Sequence, residues 1–296
     1  MLSGFELLDG GTLAVIVLAG FCAGWVDAVV GGGGLIQLPA LLLVPGITPV
    51  QALATNKLGS IFGTTTSSIT FYRRVHPDLR TAVPMALIAL AGSFGGAVIA
   101  TQLPGKAFKP IIVVALVAVL LFTAFRPAVG GETALRHQGR RHYVLACLIG
   151  AVIGCYDGLI GPGTGSFLVI ALVSLMGYAF TEASAKAKIV NMATNAGALL
   201  FFLPHGSLLW GVGLLLGAAN TAGGYLGARM AVARGNSFIR WVFLGVVAVL
   251  IVKLGFDVWQ DNVRQVAAGA VRSVDLTGVV EPSGVDGVVQ DLSREG

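Results

Sequence analysis

The sequence predicts an all-α protein that crosses a membrane several times. Of its 296 residues, 55% are hydrophobic and only 11% are charged, which is less than half of the roughly one quarter that soluble domains carry. The mean hydropathy of +0.86 agrees with this interpretation, and long apolar runs recur along the chain. The 19 Lys and Arg residues are spread over short loops, a pattern that argues against a nucleic-acid-binding surface.

A membrane helix needs about 20 mostly apolar residues, and several segments approach or reach that length. In the first half they cover about 13–30, 35–44, 50–72, 83–103 and 108–125. In the second half they cover about 144–160, 165–177, 184–203, 208–228 and 238–256. The second segment of each half is short, so we expect it to form a half-helix of a re-entrant hairpin, with about 7–10 membrane segments in total.

The two halves carry the same ionisable residues at matching positions. Asp27 is followed 130 residues later by Asp157, and Lys57 is followed 131 residues later by Lys188. Because such residues are rare in membrane segments, the matches indicate an internal duplication. The predicted organisation has four parts: a first membrane repeat (1–128), a basic cytoplasmic linker (129–142), a second membrane repeat (143–256) and an acidic, mostly disordered tail (257–296).

The charges of the loops predict that the two repeats are inverted. Arg73 and Arg74 follow the third segment of the first half, and the linker is also rich in arginine, so the positive-inside rule places both in the cytoplasm. In the second half, Arg229 and Arg234 instead fall in a predicted loop after the fourth segment. A bias that changes sides between repeats requires inverted topology. We therefore expect a multi-pass protein of the cell inner membrane with both termini outside the cytoplasm.

Glycine clusters interrupt one apolar run in each half, at Gly31–Gly34 and at Gly161–Gly165. Non-helical backbone at membrane depth occurs only where it is buried in protein or lines a watery cavity, and matching breaks in inverted repeats point to a transporter's binding site. Each break also creates a helix N-terminus whose N–H groups attract anions. The alternative is close helix packing, which we favour for four scattered glycines: Gly95, Gly96, Gly223 and Gly224.

Asp27 and Asp157 each precede a glycine cluster by four residues. An ionisable group inside a membrane is costly unless it is paired, protonated or hydrated, so it is a candidate functional group. Two interpretations remain open. The carboxylates could couple transport to protons, or they could be structural and accept hydrogen bonds from backbone N–H groups that the glycine turns expose.

Lys57 and Lys188 lie well inside predicted helices. Thr48 and Pro49 are a typical helix start, which places Lys57 about 12–14 Å along the helix axis. Polar side chains follow each lysine on the same helical face. The predicted substrate-binding residues are Lys57, Lys188, Asn56, Ser60, Thr64, Asn191, Asn195, Gly31, Gly33, Gly34, Gly161, Gly163 and Thr164. The alternative is a Lys–Asp salt bridge that ties each repeat together. The histidines lack metal-ligand spacing, so no metal site is expected.

The pattern resembles the TauE/SafE family of membrane transporters, also described as sulfite exporters. The residues that carry the resemblance are Gly20–Gly34 (GFCAGWVDAVVGGGG), Ala52-x-Ala54-Thr55-Asn56-Lys57, Gly92-x-x-Gly95-Gly96 and Gly158-x-x-Gly161-x-Gly163-Thr164-Gly165. The resemblance covers about 20–256. It implies movement of sulfur-containing anions such as sulfite, sulfoacetate or other organosulfonates across the inner membrane, usually outward, with no cofactor and no covalent chemistry.

The predicted function is therefore a secondary transporter that works by alternating access and binds a small anion near the membrane midplane. Its expected partners are that anion, protons if transport is coupled to them, and the lipid bilayer. A carrier for another small anion or carboxylate, or an anion channel, are the alternatives. An intramembrane aspartyl protease would pair Tyr156-Asp157 with a Gly-x-Gly-Asp motif, but the other aspartate stands in Gly24-Trp25-Val26-Asp27. We do not expect an enzyme.

Overall fold

The computed structural model describes residues 9–103, 132–239, 241, 242 and 245. Within these residues the chain is all helical and contains no strand, as the sequence predicts. The predicted segment 108–125, most of the segment 238–256 and the predicted tail 257–296 lie outside the described residues. The division of the chain into the four predicted parts stays a prediction.

Four helices form the described part of the first half: α1 (Gly10–Val30), α2 (Gly34–Leu42), α3 (Pro49–Val75) and α4 (Leu79–Gln102). Their ends follow from local chemistry. The Asp9 side chain accepts a hydrogen bond from the Thr12 N–H at the start of α1. At the start of α3, Thr48 and Gln51 exchange hydrogen bonds in a capping box, which satisfies N–H groups that lack a helical partner. The predicted start of the helix that carries Lys57 is thus confirmed.

The second half repeats this order of long, short, long and long helices. Its helices are α5 (Gly139–Leu159), α6 (Thr164–Ala171), α7 (Phe180–Phe202) and α8 (residues 210–239). A single π-helical turn, Leu172–Met176, extends α6. Both short helices follow a glycine break, as the sequence predicts.

One predicted loop is absent. Arg229 and Arg234 were expected between two membrane segments, but both lie within the continuous helical residues of α8. The stretch has no proline to end a helix, and Gly235 adopts a left-handed conformation with φ of 70° without ending the helical run. Arginine and alanine are good helix formers, so the charged stretch continues the helix.

The helices of the two halves exchange partners. The fourth helix of the first half, α4, packs against α5 and α7 of the second half. Reciprocally, α8 packs against α1 of the first half: a Cβ added to Gly24 would overlap the backbone of Asn220. The same relation holds on the other side, where a Cβ on Gly154 would overlap the backbone of Ala89. Glycines let these backbones approach closely, as in membrane helix pairs.

The four scattered glycines were predicted to serve helix packing, and three of them do. A Cβ on Gly96 would overlap the Cys155 carbonyl, one on Gly223 would overlap the Phe21 carbonyl, and one on Gly224 would lie 2.9 Å from the Gly63 carbonyl. Among the described residues, nothing lies within 4 Å of a Cβ added to Gly95, so a packing role for this glycine stays a prediction.

Several helices carry exposed apolar side chains on their outer faces, while ionisable side chains are buried between the helices. Among the described residues, three helices, α1, α4 and α5, are long and apolar enough to cross a membrane. Leu18 on α1 and Val152 on α5 are 64% and 62% exposed, whereas Lys57 and Lys188 are 1% and 0% exposed. A water-soluble protein has the opposite arrangement, so the exposed apolar faces are suited to contact lipid.

Candidate functional site

The two glycine breaks meet at the centre of the helical assembly. The Ser166 N–H donates to the Gly31 carbonyl at 3.1 Å, and the Ser166 hydroxyl donates to the Val30 carbonyl at 2.8 Å. A Cβ on Gly31 would overlap the backbone of Gly165. Backbone groups that α1 leaves without a helical partner at its end are therefore satisfied by the other half of the chain.

The breaks have related backbone conformations. Gly31 and Gly161, at equivalent positions in the two halves, adopt φ of 85° and 89°, which is a left-handed region that glycine enters without steric cost. The next equivalent pair differs. Gly163 has φ of 83°, whereas Gly33 has a right-handed φ of −56°, and a Cβ on Gly33 would lie 2.5 Å from the Ala23 carbonyl.

A small, partly open cavity lies around the two breaks. Its walls are formed by glycine backbone, by amide and hydroxyl side chains and by three ionisable residues. The lining residues are Asp27, Gly31, Gly34, Asn56, Lys57, Ser60, Asp157, Gly161, Gly163, Thr164, Gly165, Asn191 and Asn195. The structure thus brings most of the predicted site residues together. Within the described residues, three predicted site residues do not line the cavity: Lys188, Gly33 and Thr64.

Two buried ion pairs flank the cavity, and both cross between the halves. Lys57 Nζ lies 2.7 Å from Asp157 Oδ2, and Lys188 Nζ lies 3.3 Å from Asp27 Oδ2. The predicted lysine–aspartate salt bridges are therefore confirmed, but the expectation that each ties its own repeat together is wrong. The exchange of helices explains the difference, because α3 packs against α7 and each lysine faces the other half's glycine break.

The Lys57–Asp157 pair lies on the cavity wall and has a close polar neighbour. The Thr164 hydroxyl lies 2.5 Å from Asp157 Oδ1, to which it donates, and 2.7 Å from the Gly161 carbonyl. The Tyr156 hydroxyl donates to the Pro162 carbonyl at 2.6 Å. Side chains at the end of α5 therefore hold the second break in its turn conformation.

Lys188 has a different environment, behind the cavity wall. Its ammonium group donates to the backbone carbonyl of Asp27 as well as to the Asp27 carboxylate. That carbonyl belongs to the last turn of α1, where a cation is favourable because the helix dipole is negative there. Lys188 is thus placed as a cap of α1.

A second layer of polar groups supports the wall. The Thr64 hydroxyl donates to the Ser60 carbonyl at 2.9 Å and accepts from Asn195 Nδ2 at 3.4 Å, so Thr64 positions two lining residues from behind. Asn56 Oδ1 is buried and has no hydrogen-bond partner among the described residues. A buried amide oxygen without a partner is rare, and it leaves hydrogen-bonding capacity at the wall.

Gln37 and Asn220 are buried polar residues near the site that the sequence analysis missed. Asn220 Nδ2 donates to Gln37 Oε1 at 2.7 Å, and Gln37 Nε2 donates to the Asn56 carbonyl at 3.4 Å. The signal that could have revealed them is an amide side chain inside an otherwise apolar segment, since such groups must find partners in a membrane. Gly165 was also absent from the predicted set, although it belongs to the predicted break.

Comparison with known proteins decides the family. The sequence model described as "Sulfite exporter TauE/SafE" matches residues 16–254. The chain belongs to the TauE/SafE family. The match includes both glycine breaks, both lysines and both aspartates, so the predicted resemblance is confirmed.

Three relatives show what the family resemblance covers. A "Probable membrane transporter protein ORF9" from Sinorhizobium sp. is 38% identical over 83% of this chain and 93% of its own length. A "Probable membrane transporter protein" from Haemophilus influenzae is 34% identical over 83% and 95%. The "Probable membrane transporter protein YfcA" from Escherichia coli K12 is 33% identical over 83% and 90%. No solved structure matches the chain. This TauE/SafE protein is a membrane transporter and not an enzyme.

Proposed function

We propose that this TauE/SafE protein is a secondary carrier for small anions and that the cavity between the glycine breaks is its substrate site. The observation that carries the proposal is the position of Lys57, whose ammonium group is 1% exposed and lines the cavity. A lysine rarely occupies such a place in a membrane protein unless it binds a substrate or a counter-ion. An anion in the cavity would lie beside this charge.

The ends of two helices supply further attraction for an anion. Helices α2 and α6 begin at Gly34 and Thr164, and both residues line the cavity. The N-terminus of a helix carries a partial positive charge and N–H groups without helical partners. Amide side chains on α3 and α7, among them Asn56 and Asn191, also line the cavity, and their proposed role is to orient the substrate's oxygens.

We propose sulfur-containing anions as the substrate class: sulfite, sulfoacetate or other organosulfonates. The support is the family's description and the chemistry of the wall, which offers donors from several directions to a group with three oxygens. A small carboxylate carries the same charge and is the alternative substrate.

The transport mode that we propose is alternating access by two inverted repeats in the inner membrane, with both termini outside. The repeated order of helices and their reciprocal packing support it, since inverted repeats place substrate at the interface of the halves. A negative cell interior favours outward movement of an anion by about 2.3 kcal/mol per elementary charge for each 100 mV. The proposed direction is therefore export.

The test is flux in proteoliposomes with sulfite, sulfoacetate, taurine and a carboxylate of sulfoacetate's size. We expect saturable flux of the sulfur anions, because a carrier saturates whereas a channel does not. The double variant Lys57→Met with Asp157→Asn removes the ion pair on the wall without leaving a charge unpaired, and we expect it to abolish the flux.

A matched control neutralises another ion pair. Lys186 Nζ lies 3.1 Å from Glu182 Oε1, and Lys186 is fully buried but is not a lining residue of the cavity. We expect Lys186→Met with Glu182→Gln to retain most of the flux. Equal loss in both double variants, or flux that does not saturate, would contradict the proposal.

A further inference from the structure

We propose that the Asp157 carboxylate competes with the substrate anion for Lys57. The anion displaces this carboxylate, which takes up one proton, whereas the Lys188–Asp27 ion pair stays intact. The inference rests on the proposed function, since it concerns the same cavity and the same anion. It divides two sequence-equivalent aspartates into one that couples transport to protons and one that is structural.

The first step concerns access to the only lysine on the cavity wall in the described part of the chain. Lys57 Nζ already contacts Asp157 Oδ2 at 2.7 Å. An anion that approaches Nζ would therefore come close to a second negative charge in a buried site, where repulsion is weakly screened. Protonation of Asp157 removes this repulsion and frees the ammonium group for the anion.

The second step concerns the balance of charge. The buried ionisable side chains at the site, among the described residues, are Lys57, Lys188, Asp27 and Asp157. The site is formally neutral when all four are ionised, so an anion that binds alone brings uncompensated buried negative charge, which is strongly unfavourable. One proton that enters with the anion removes one unit of that charge, which leaves sulfoacetate, a dianion near neutral pH, with one net negative charge.

The third step concerns the groups around Asp157. Its charged or titratable neighbours are Lys57 from α3, Asp27 from α1, Tyr156 on its own helix and, through Asp27, Lys188 from α7. On the side of α4, the nearest groups at Gly158 are Ser93 and the Ala97 backbone, which carry no charge. Lys57 is thus the cation in direct contact with Asp157, and its loss to a substrate anion favours uptake of a proton by Asp157.

The fourth step explains why Asp27 differs. Lys188 donates to the backbone carbonyl of Asp27 in addition to the carboxylate, and protonation of the carboxylate does not release a backbone carbonyl. Lys188 is also absent from the cavity lining. A proton on Asp27 would therefore expose no lysine to a substrate.

The coupling step is a proton transfer without other bond changes. A proton from water binds Asp157 Oδ2 as the anion takes the place of this oxygen at Lys57 Nζ. The Thr164 hydroxyl, which donates to Asp157 Oδ1 in the ion pair, can then donate to the Gly161 carbonyl, which lies 2.7 Å away. When the anion leaves, the proton leaves Asp157 and the ion pair forms again. One proton accompanies each anion, so sulfoacetate, a dianion near neutral pH, still carries one net negative charge and the membrane potential still favours its export.

The experiment measures proton uptake when sulfoacetate binds to the full-length protein in weakly buffered detergent solution near neutral pH, where sulfoacetate itself does not titrate. We expect one proton per bound anion and an affinity that rises about tenfold for each unit of decrease in pH. In Asp157→Asn we expect binding with no proton uptake and no pH dependence. In Asp27→Asn we expect one proton per anion, as in the natural chain.

A second variant protects the test against misfolding of Asp157→Asn. Thr164→Val keeps the shape of the side chain but removes the hydroxyl that donates to the Asp157 carboxylate. The Asp157 carboxylate then loses one of the contacts that hold it beside Lys57, so a substrate anion displaces it more easily. We expect tighter sulfoacetate binding than in the natural chain, still with one proton per anion.

Three results would overturn the inference. Sulfoacetate binding without proton uptake would refute coupling but leave the anion carrier intact. Uptake that persists in Asp157→Asn and disappears in Asp27→Asn, or a sulfoacetate affinity unchanged by Thr164→Val, would refute the assignment to Asp157. If sulfite, sulfoacetate, taurine and the matched carboxylate all fail to bind to the folded protein, the proposed function and the inference fail together.

Discussion

The two buried ion pairs use the same residue types at equivalent positions, yet their lysines contact different atoms. Lys57 contacts the carboxylate of Asp157 on the cavity wall, whereas Lys188 binds the backbone end of α1 behind it. The aspartates differ as well, since their side chains are 2% and 12% exposed for Asp157 and Asp27. Equivalent residues of the two halves thus have different surroundings, which is the basis of the proposed division between a binding pair and a structural pair.

The glycine breaks show the same divergence. The second break is held by side chains of its own half, through the Tyr156 and Thr164 hydroxyls. The first break is held from the other half by Ser166. The first break therefore depends on contact between the halves more than the second one does, and this difference can be tested by substitution.

The largest expected effect is that of Gly31→Ala. Its φ of 85° is unfavourable for alanine, and the new Cβ would overlap the Gly165 backbone, so we expect a loss of at least about 3 kcal/mol of stability. Gly163→Ala is the matched control. It has a φ of 83°, but its nearest contact is 3.9 Å away, so it should cost only about 1–2 kcal/mol. Thermal unfolding in detergent measures both, and equal losses would contradict the close contact of the two breaks.

The next effect compares the ion pairs. Lys57→Met leaves Asp157 buried and unpaired, which should destabilise the protein by about 3–5 kcal/mol near neutral pH. Lys188→Met leaves the more exposed Asp27, and we expect a smaller loss. In each case the second substitution, Asp157→Asn or Asp27→Asn, should restore part of the stability. Denaturant unfolding measures the four variants. A larger loss of stability in Lys188→Met than in Lys57→Met would contradict the expectation that the more buried aspartate, Asp157, is the more costly one to leave unpaired.

The smallest effect compares the starts of α4 and α5. The Asp78 side chain accepts from the Arg80 N–H at 2.9 Å and from the Thr81 hydroxyl at 2.6 Å, so Asp78→Ala should cost about 1 kcal/mol. Gln138 makes no such bond at the start of α5. We therefore expect Gln138→Asp to stabilise the protein by up to about 1 kcal/mol. No change in thermal unfolding temperature in either variant would contradict these caps.

The Asp78 cap also has a predicted pH dependence. Partial burial raises the pKa of Asp78, but the hydrogen bonds from Thr81 and Arg80, with Lys186 nearby, outweigh it and hold the pKa below its ordinary value of 3.8. A depressed pKa in the folded state means that the contribution is present above the ordinary value and is lost as pH falls through the folded value. The stability difference between the natural chain and Asp78→Ala should therefore shrink in strong acid.

Local chemistry explains what was predictable. A Thr-Pro start and glycine breaks determine where helices begin and end, and polar residues inside apolar helices indicated the residues that now surround one cavity. Whether these residues bind substrate stays a prediction. Which aspartate meets Lys57 depends on how the halves pack, and spacing along one chain does not contain that information. The loop predicted at Arg229 was wrong because its charge suggested a loop, whereas the residues around it are good helix formers.

The exchange of helices has a consequence for synthesis of the protein. Asp27 is made 161 residues before its partner Lys188, and α1 emerges from the ribosome long before α8, against which it packs. The early helices are therefore made before the lysine with which Asp27 pairs in the folded protein. A chain released after the first half would carry Asp27 and Lys57 without their partners, so the nascent protein can complete its core only near the end of translation.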